Sequence, residues 1–408
     1  MPLPDPRTAL VLGGGIVGLS AASALHARGL AVTVVDAPGD RPPASWGNAG
    51  HIATEQHEPF ASLEMVRSLP KRLMIFGGPA SFPPLAVSAW LPFGLRLLMA
   101  ASPSRFEKGG RALRALMVEA LPAWRRLTER AGACALLRDE GNIIAWESPA
   151  GARRGRADLR NYHSEAARWR DLTSEETRLL ADQLRRAPAD AVRFEGTASV
   201  ADPGAMLDAL RKAIVARGGV IEARAATLAE AKRAGADLIV VAAGVRSSAL
   251  MRELGHPAPL IAERGYHIQS AETRWPESLT SVVFEERALV ATRFLSGLRA
   301  TSFVEFTRPD AAPDPRKWAR LRAHAEELGL SLDGEVRTWF GSRPTLPDYL
   351  PAIGRSTRNP RVLYAFGHQH LGLTLGPVTG EIIAALATGD RPSVDASPFV
   401  IERFRLTR

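Results

Sequence analysis

The sequence predicts an α/β protein, in which a Rossmann-type dinucleotide-binding domain carries an inserted second domain built on an antiparallel sheet. Three observations support this fold class. The chain begins with a strand, a Gly-rich turn, a helix and a second strand. Further strand–helix units occur in the middle and at the end of the chain, which indicates a discontinuous first domain. Residues 260–306 alternate as several short segments separated by turns, a pattern typical of antiparallel strands.

The first unit consists of the apolar strand 9–12, the glycine turn 13–18, a helix to about residue 27 and the strand 31–35, which ends on Asp36. An acidic residue at this position accepts hydrogen bonds from the adenosine ribose of a bound dinucleotide. The flanking strands and the closing acid make the glycine pattern specific. The unit therefore predicts a nucleotide site.

Each residue of the turn has a physical role in such a site. Gly13 allows the tight turn, Gly15 lets the backbone approach the pyrophosphate, and Gly18 lets the helix pack closely on the strand. The helix begins at Ile16 and Val17, where free N–H groups and the positive end of the helix dipole face the phosphates. The glycine turn alone does not distinguish FAD from NAD.

Composition limits the partners of the chain. The 408 residues suit two domains, and an apolar fraction of 46% permits a sizeable core. The net charge of +9 comes with few lysines, and the arginines are spread along the chain without the interleaved aromatics that stack on bases. We therefore expect a solvated, mildly basic surface and no nucleic-acid partner.

The sequence also bears on location and on cysteine chemistry. No segment of 18 or more apolar residues is free of charge, so we expect no transmembrane segment. A folded strand–turn–helix unit occupies the N-terminal residues where an export signal would lie, which predicts a cytoplasmic protein. Cys134 is the only cysteine, which excludes an internal disulfide and a Cys-ligated metal cluster. We expect Cys134 to be a small buried residue.

The remaining elements follow in chain order. Asp202 and Pro203 open a helix, since proline is favoured in a first helical turn. The expected elements are helices broken by prolines over 59–132, a hairpin over 135–147 that turns at 139–141, helices over 148–187 and 203–217, strands over 219–222 and 237–244, the antiparallel segments 260–306, a helix over 314–328, a strand over 362–366 and a helix over 377–388. The expected nucleotide domain comprises residues 1–58, 195–258 and 335–408, and the expected substrate domain comprises residues 59–194 and 259–334.

Several motifs share an order along the chain. They are the 13–18 turn with Asp36, the segment 45–50, Asp202-Pro203, the strand 240–244, the segment 264–267, the run 341–354, and the segment 367–377. In this order the chain resembles the D-amino acid oxidase superfamily of FAD-dependent oxidoreductases. It is most similar to the bacterial D-amino acid dehydrogenase branch, which includes enzymes similar to D-hydroxyproline dehydrogenase.

The resemblance implies FAD as the cofactor. In such proteins the loop that here holds Ser45, Asn48, Ala49 and Gly50 passes beside the flavin, and Gly244 lies near the adenosine half. Backbone N–H groups of a glycine-rich segment face the isoalloxazine ring in these proteins, and the corresponding residues here are Gly372, Leu373 and Thr374. We expect FAD to be bound non-covalently, because Cys134 lies far in sequence from these motifs.

The resemblance also implies candidates for the substrate site. Arg343 corresponds to the arginine that pairs with the substrate carboxylate through its planar fork, and the alternative is a surface salt bridge. His51 stands where some dehydrogenases place a histidine facing flavin and substrate. Of the neighbours Tyr266 and His267, only one can point inward from a strand, and Tyr266 is the one we predict.

His370 stands where some oxidases carry a second arginine, which implies a pocket of different polarity. The histidines at 51, 267, 368 and 370 are not spaced as a metal site, so we predict none.

The resemblance implies oxidation of a D-amino acid by hydride transfer from Cα to flavin N5. The preferred substrate is a cyclic D-imino acid such as cis-4-hydroxy-D-proline.

One alternative function is that of the flavin subunit of a multi-subunit amine or imino acid dehydrogenase, which passes electrons to a partner protein or a membrane quinone. Its docking face, or its peripheral contact with the inner membrane, would be the apolar stretch 90–99, although a core helix is the preferred interpretation. A second alternative is a non-catalytic FAD-binding protein. The sequence leaves the electron acceptor and the oligomeric state open.

Overall fold

The computed structural model describes residues 6–405. The strands, in chain order, are β1 (Thr8–Leu12), β2 (Ala31–Val35), β3 (His51–Ile52), β4 (Ala80–Ser81), β5 (Leu137–Arg138), β6 (Asn142–Trp146), β7 (Arg168–Asp171), β8 (Asp190–Glu195), β9 (Ala198–Val200), β10 (Val220–Glu222), β11 (Leu238–Val241), β12 (Ile261–Glu272), β13 (Val282–Phe284), β14 (Leu289–Phe294), β15 (Gly297–Thr307), β16 (Asp333–Thr345), β17 (Ala352–Arg355) and β18 (Val362–Phe366). The helices are α1 (Ile16–His26), α2 (Leu63–Arg72), α3 (Val87–Ala100), α4 (Pro103–Ala131), α5 (Pro149–Arg160), α6 (Ser174–Asp182), α7 (Pro203–Ala216), α8 (Leu228–Arg233), α9 (Ser247–Arg252), α10 (Pro315–Leu328) and α11 (Gly372–Thr388).

A six-stranded sheet forms the nucleotide domain, in the order β10-β2-β1-β11-β18-β17. All strands but β17 run parallel, and their side chains are largely buried because helices cover both faces of the sheet. The carboxyl ends of the parallel strands meet at one edge, which is where open α/β sheets bind ligands. Together with the second sheet described below, this confirms the predicted α/β fold.

Helices α1 and α11 lie side by side on one face of this sheet. A Cβ atom on Gly380 would lie 2.6 Å from the backbone of Ser20, and one on Gly376 would lie 3.2 Å from the side chain of Ile16. The two helices therefore touch almost backbone to backbone. Since residue 376 meets residue 16 and residue 380 meets residue 20, the helices run parallel, and both N-termini point to the same end of the sheet.

A second, largely antiparallel sheet of nine strands forms the rest of the core, in the order β16-β12-β15-β14-β13-β6-β8-β7, with β4 added beside β15. Helix α10 packs against β12 and β15 on one face. The strand β16 pairs with β12 from residue 333 to residue 345, so this part of the chain belongs to the second sheet. The predicted boundary at residue 335 therefore divides a continuous strand. A third, small sheet has the order β3-β9-β5.

The predictions of a hairpin over 135–147 and of a buried Cys134 are wrong. The segment 135–147 is not a hairpin, because β5 pairs with β9 in the small sheet whereas β6 pairs with β8 and β13 in the large one. Cys134 is exposed rather than buried, since it lies in a short 3₁₀ turn between α4 and β5.

Helix α3 is not a core helix, contrary to the preferred interpretation of the stretch 90–99. Only Phe93 and Leu97 of this helix are buried, and they pack in a cluster with Phe306. The opposite side of α3 is exposed although it is apolar.

One segment among the described residues, 369–388, is long and apolar enough to cross a membrane by length and composition. It contains α11, and 78% of its most apolar window is buried inside the protein. The segment thus serves as a core helix of the nucleotide domain. A second, bent pair of helices, 84–100 with 103–131, passes the same test only when the two are joined across an 89° bend.

Candidate active site

The glycine turn after β1 is closely packed around its own backbone. Gly13 has a φ of +117°, and a Cβ atom there would overlap the carbonyl oxygen of Ala242. A Cβ atom on Gly18 would overlap the carbonyl oxygen of Gly13. Both positions therefore require glycine for the fold itself.

Gly15 differs from these two glycines because the space beside it is nearly free. A Cβ atom there would meet only the hydroxyl of Ser45, at 3.2 Å. That hydroxyl accepts a hydrogen bond from the Ile16 N–H at 3.1 Å. Gly15 has no side chain to cap α1, and first-turn amides such as that of Val17 have no acceptor within a helix. An open backbone at a helix N-terminus fits the pyrophosphate of a dinucleotide.

Asp36 lies beside the same turn. Its carboxylate would be 2.6 Å from a Cβ atom on Gly14, and its backbone N–H donates to Glu222 at 3.0 Å. Arg211 of α7 brings a positive charge to this place, since it donates to the Gly14 carbonyl at 3.2 Å and lies 4.0 Å from Asp36. Arg211 could not be predicted from the sequence, because nothing in the residue spacing of α7 points to the turn.

Gly244 stands at the carboxyl end of β11, next to this turn. It has a φ of +56°, and a Cβ atom there would meet nothing within 4 Å. The structure thus places Gly244 beside open space at the edge where the adenosine half of FAD is expected.

The segment 45–50 is held in place by Arg299, a buried residue of β15 that the sequence analysis missed. Its guanidinium donates to the carbonyl oxygens of Trp46 at 2.9 Å and of Asn48 at 2.6 Å. Burial lowers the pKa of Arg299 to about 9, so it stays charged at neutral pH. The Asn48 side chain accepts from the Gly50 N–H at 2.8 Å, and the hydroxyl of Thr292 donates to the Ala49 carbonyl at 2.9 Å. Four hydrogen bonds thus hold the backbone of this loop in place.

The same loop continues into His51, which pairs with a buried carboxylate. The His51 Nε2 atom lies 3.0 Å from Oε1 and 3.1 Å from Oε2 of Glu55, and the two side chains are only 8% and 7% exposed. The His51 Nδ1 atom is buried and has no hydrogen-bond partner among the described residues. The structure thus leaves one imidazole nitrogen available to a ligand. Glu55 was not predicted, although it follows His51 by four residues.

The N-terminus of α11 adjoins this loop. The Ala53 N–H donates to the Thr374 hydroxyl at 2.9 Å, and the indole of Trp124 donates to the Leu373 carbonyl at 2.9 Å. Gly372 begins the helix. Since α1 and α11 are parallel, the positive ends of two helix dipoles converge here, which suits the phosphates of FAD and the electron-rich reduced flavin.

Arg343 lies on the face of β16 that shares Glu263 and Gly265 of β12. Its Nη1 atom donates to the Phe303 carbonyl at 3.1 Å and to Glu263 at 3.4 Å. Its Nη2 atom lies over Gly265, where a Cβ atom would approach to 2.5 Å. Among the described residues Nε and Nη2 have no recorded partner, so one edge of the fork is available for a bidentate carboxylate.

Glu263 is a buried carboxylate that the sequence analysis missed. Besides Arg343, it accepts hydrogen bonds from the Thr345 hydroxyl at 2.9 Å and the Tyr349 hydroxyl at 3.2 Å. Burial and the charge of Glu263 hold the pKa of Tyr349 well above its usual value, so Tyr349 stays a neutral donor. The network fixes Arg343 from one side only.

His370 forms another wall of this region. Its Nε2 atom lies 2.7 Å from the amide oxygen of Gln56, and its ring stacks on Phe60 at 4.7 Å. Phe60 in turn meets the ring of Tyr349 edge-on at 5.8 Å. Burial and the positive charge of Arg343 lower the pKa of His370 far below its ordinary value, so the imidazole is neutral. These contacts bring His370 and Arg343 to one site.

Backbone strain is concentrated around Arg343. Phe303, Tyr349 and Gln369 have φ values of +71°, +55° and +47°, in the left-handed region that side chains rarely adopt. The Phe303 carbonyl accepts from Arg343, and the Gln369 amide donates to the Tyr349 carbonyl. Such strain persists only where the surroundings enforce it, and it is typical of functional sites.

Tyr266 does not belong to the site, and its predicted orientation is wrong. Along β12, the residue paired with Arg343 is Glu263, so odd-numbered residues share the face of Arg343. Tyr266 lies on the opposite face, where its hydroxyl bonds Glu305 and accepts from the Asp314 N–H. His267 takes the inward position instead, and its Nδ1 atom lies 3.1 Å from the Gly47 carbonyl. Neighbouring residues of a strand must face opposite sides, but which of the two faces the site depends on how β12 pairs with β16.

Within the described residues, no group of three or more His, Cys, Asp or Glu side chains is arranged to hold a metal ion.

Comparison with known proteins gives consistent relatives. The family model described as FAD dependent oxidoreductase, DAO, matches residues 8–386. The chain is 32% identical to the D-amino-acid oxidase of Bradyrhizobium diazoefficiens, over 98% of this chain and 100% of that protein. It is 28% identical to D-amino acid dehydrogenase 2 of Pseudomonas aeruginosa, over 95% of this chain and 96% of that protein.

Solved structures share the fold. Glycine oxidase from Geobacillus kaustophilus superimposes with a TM-score of 0.68 at 20% identity, over 98% of this chain and 100% of that one. L-proline dehydrogenase from P. horikoshii gives a TM-score of 0.69 at 17% identity, over 98% of both chains. At these identities the likeness concerns the fold alone.

Gly15→Val should abolish cofactor binding and leave the fold intact. The added side chain meets only the Ser45 hydroxyl in the protein, but it occupies the space into which a pyrophosphate fits. We expect a normal far-ultraviolet circular dichroism spectrum and a colourless protein. Absorbance of the purified variant measures flavin content, and Gly39→Val, outside the turn, serves as the control. A yellow Gly15→Val protein would contradict the assignment of this turn.

Proposed function

Since this chain belongs to the FAD-dependent oxidoreductase family, we propose that it oxidises the Cα–N bond of an amino acid of the D configuration. That it is an FAD-dependent oxidoreductase acting on amino acids follows from the family and the relatives. The D configuration is supported by relatives that are named D-amino-acid oxidase and D-amino acid dehydrogenase. The observation that carries the proposal is the open edge of Arg343, next to the region where loop 45–51 and the N-terminus of α11 meet.

Arg343 binds the substrate carboxylate through Nε and Nη2. Glu263 and the Phe303 carbonyl occupy Nη1, so the guanidinium is oriented before the substrate arrives. A pre-oriented planar fork loses little conformational entropy on binding and accepts only a coplanar carboxylate. This fixes the direction in which the Cα–H bond of the substrate points. FAD, when bound, accepts that hydrogen as a hydride.

His51 takes the proton of the substrate ammonium group. Its Nε2 atom donates to Glu55, which leaves Nδ1 as the unprotonated nitrogen. Loss of this proton supplies the nitrogen lone pair that forms the C=N bond as the hydride leaves Cα. Water then hydrolyses the imine to a 2-oxo acid and ammonia, whereas a cyclic imine keeps its ring. Glu55 is a positioning residue, because it sets the tautomer of His51.

The proposed substrate is small or cyclic, with cis-4-hydroxy-D-proline as the specific candidate. His370 is neutral and lies between Phe60 and Gln56, so it offers the substrate a hydrogen-bonding wall without charge. A site that bonds a ring hydroxyl discriminates against the analogue lacking it. We propose non-covalent attachment of FAD, since the only cysteine, Cys134, is exposed in a turn before β5.

The second candidate function is that of a flavin subunit that passes electrons to a partner protein or a membrane quinone. One observation favours it, the exposed apolar side of α3. We propose a cytoplasmic location peripheral to the inner membrane on the same ground.

Anaerobic mixing with single amino acids tests the proposed reaction. We expect D-proline and cis-4-hydroxy-D-proline to bleach the flavin fastest, and L-amino acids to bleach it slowly or not at all. His370→Ala should narrow the difference between the two D-prolines, because it removes the partner of the ring hydroxyl. Faster bleaching by L-amino acids would contradict the D configuration. Faster bleaching by acidic or bulky basic D-amino acids would contradict only the pocket.

Arg343→Lys should keep the charge beside Glu263 but lose the planar fork. We expect kcat/KM to fall by about tenfold to a hundredfold, mostly through KM, with normal flavin content. Arg343→Ala should weaken the binding free energy of the substrate by about 3–5 kcal/mol, since it also leaves Glu263 buried without its cation. Arg337→Ala, on an exposed part of the same strand, is the matched control and should change neither constant. Equal kcat/KM in wild type and Arg343→Ala would show that the substrate carboxylate binds to other residues.

Glu55→Gln should lower kcat by about tenfold or more while KM and flavin content change little, because the tautomer of His51 is no longer fixed. The pH profile of kcat should change shape, and Glu55→Asp should restore part of the rate. Glu58→Gln, at a nearby exposed carboxylate, is the control. An unchanged pH profile in Glu55→Gln would show that the His51–Glu55 pair takes no part in the reaction.

A further inference from the structure

The outer side of α3 and of the turn before it is apolar except for Ser88, the one exposed polar residue of this helix. We name as the apolar face the exposed side chains of Leu85, Val87, Leu91, Leu95, Leu98 and Met99. Within α3, Val87, Leu91, Leu95 and Leu98 follow one another at three to four residues, which places them on one side of the helix. A solvent-facing helix side normally carries charged residues, whereas the one charged residue of α3, Arg96, is half-buried.

A second apolar element lies nearby in the chain. Ile75 and Phe76, in the 3₁₀ turn after α2, are 81% and 70% exposed. The two parts are joined through the protein, since Phe82 after this turn contacts Trp90 of α3 at 5.6 Å. A helix side that exposes this many large apolar residues, as α3 does, marks an interaction site rather than ordinary surface.

Basic residues border the apolar side chains. Residues 63–108 contain six lysines and arginines but only two acidic residues, and one of these, Glu107, pairs with Arg111. Lys71 and Arg72 are exposed and directly precede the turn with Ile75 and Phe76. At the other end Arg105 donates to the Met99 carbonyl at 3.5 Å. An apolar surface bordered by cations complements the acyl chains and anionic headgroups of a lipid bilayer.

We propose that the apolar face docks on the surface of a bilayer that contains anionic lipid. Leu91, Leu95 and Leu98 enter the boundary between headgroups and acyl chains, and Lys71, Arg72 and Arg105 contact lipid phosphates. The helix lies on the membrane and does not cross it, because Phe93 and Leu97 are anchored in the protein core.

A second copy of the chain fits this surface less well. A two-fold dimer would place the same patch against itself, so that its excess of positive charge would face an equal excess. Charge complementarity therefore selects an anionic bilayer over self-association.

The surface lies close to the candidate active site. The buried side of α3 packs in the same apolar cluster as Tyr349, whose hydroxyl donates to Glu263 beside Arg343. Half-exposed Phe60, which stacks on His370, belongs to the segment that leads into α2. Docking would thus set the substrate domain, rather than the nucleotide sheet, against the membrane.

Vesicle sedimentation with the flavin-loaded full chain tests this proposal. We expect the protein to pellet with vesicles of phosphatidylcholine and phosphatidylglycerol, and less with phosphatidylcholine alone. Leu95→Glu should weaken binding by about tenfold or more, since it places a charge in the apolar boundary. Val215→Glu, on the exposed side of α7, is the matched control, because Leu95 and Val215 are 58% and 54% exposed. Lys71→Gln with Arg72→Gln should reduce the preference for anionic lipid.

Three results would overturn the proposal. They are wild-type protein that stays in the supernatant with both vesicles, equal loss of binding in Leu95→Glu and Val215→Glu, and a dimer in sedimentation velocity that Leu95→Glu dissociates. None of these readouts uses amino acid oxidation, so the proposed reaction stands or falls separately.

Discussion

The close contact between α1 and α11 is the constraint on which the site depends. Gly376 and Gly380 bring α11 against Ile16 and Ser20, and the two helices are parallel. Any larger side chain at Gly380 would push the backbones apart. Because the helices share a direction, their positive ends converge at the carboxyl edge of the parallel sheet. The N-terminus of α1 lies at the glycine turn, and the N-terminus of α11 lies beside the loop with Asn48 and His51. A single packing contact therefore aligns both halves of an FAD site.

Charge around the substrate region is balanced before any ligand enters. Arg343 is half neutralised by Glu263, and Glu263 is further stabilised by the Thr345 and Tyr349 hydroxyls. A guanidinium in this partly buried position would be costly without a partner, whereas one with every donor occupied would not bind a substrate. In this structure one edge of the Arg343 guanidinium is paired and the other edge is free. Left-handed backbone at Phe303 and Tyr349 maintains this geometry.

The sequence predicts those features whose residue types have few other uses. A glycine turn between two strands, closed by Asp36, determines its own local structure, and shared motif order points to Arg343. The sequence does not reveal Glu263 or Arg299, because their roles depend on contacts between distant parts of the chain. Glu263 bonds Arg343, 80 residues away, and Arg299 bonds Asn48, 251 residues away. The error at Tyr266 has the same origin. That side chains alternate between the two faces of a strand follows from the local backbone. Which residues face the site depends on the register between β12 and β16. The sequence predicts α3 as a core helix, and the structure differs because an apolar helix face has the same sequence pattern whether it is buried or exposed.

The central claim is that a carboxylate binds the free edge of Arg343 beside the flavin. Titration of the flavin-loaded enzyme with benzoate, a carboxylate that cannot be oxidised at Cα, tests it through the flavin absorption spectrum. The account predicts a saturable difference spectrum in wild type and Arg337→Ala, with much weaker binding in Arg343→Lys and none in Arg343→Ala. Equal benzoate affinity in wild type and Arg343→Ala, with the same spectral change, would contradict it.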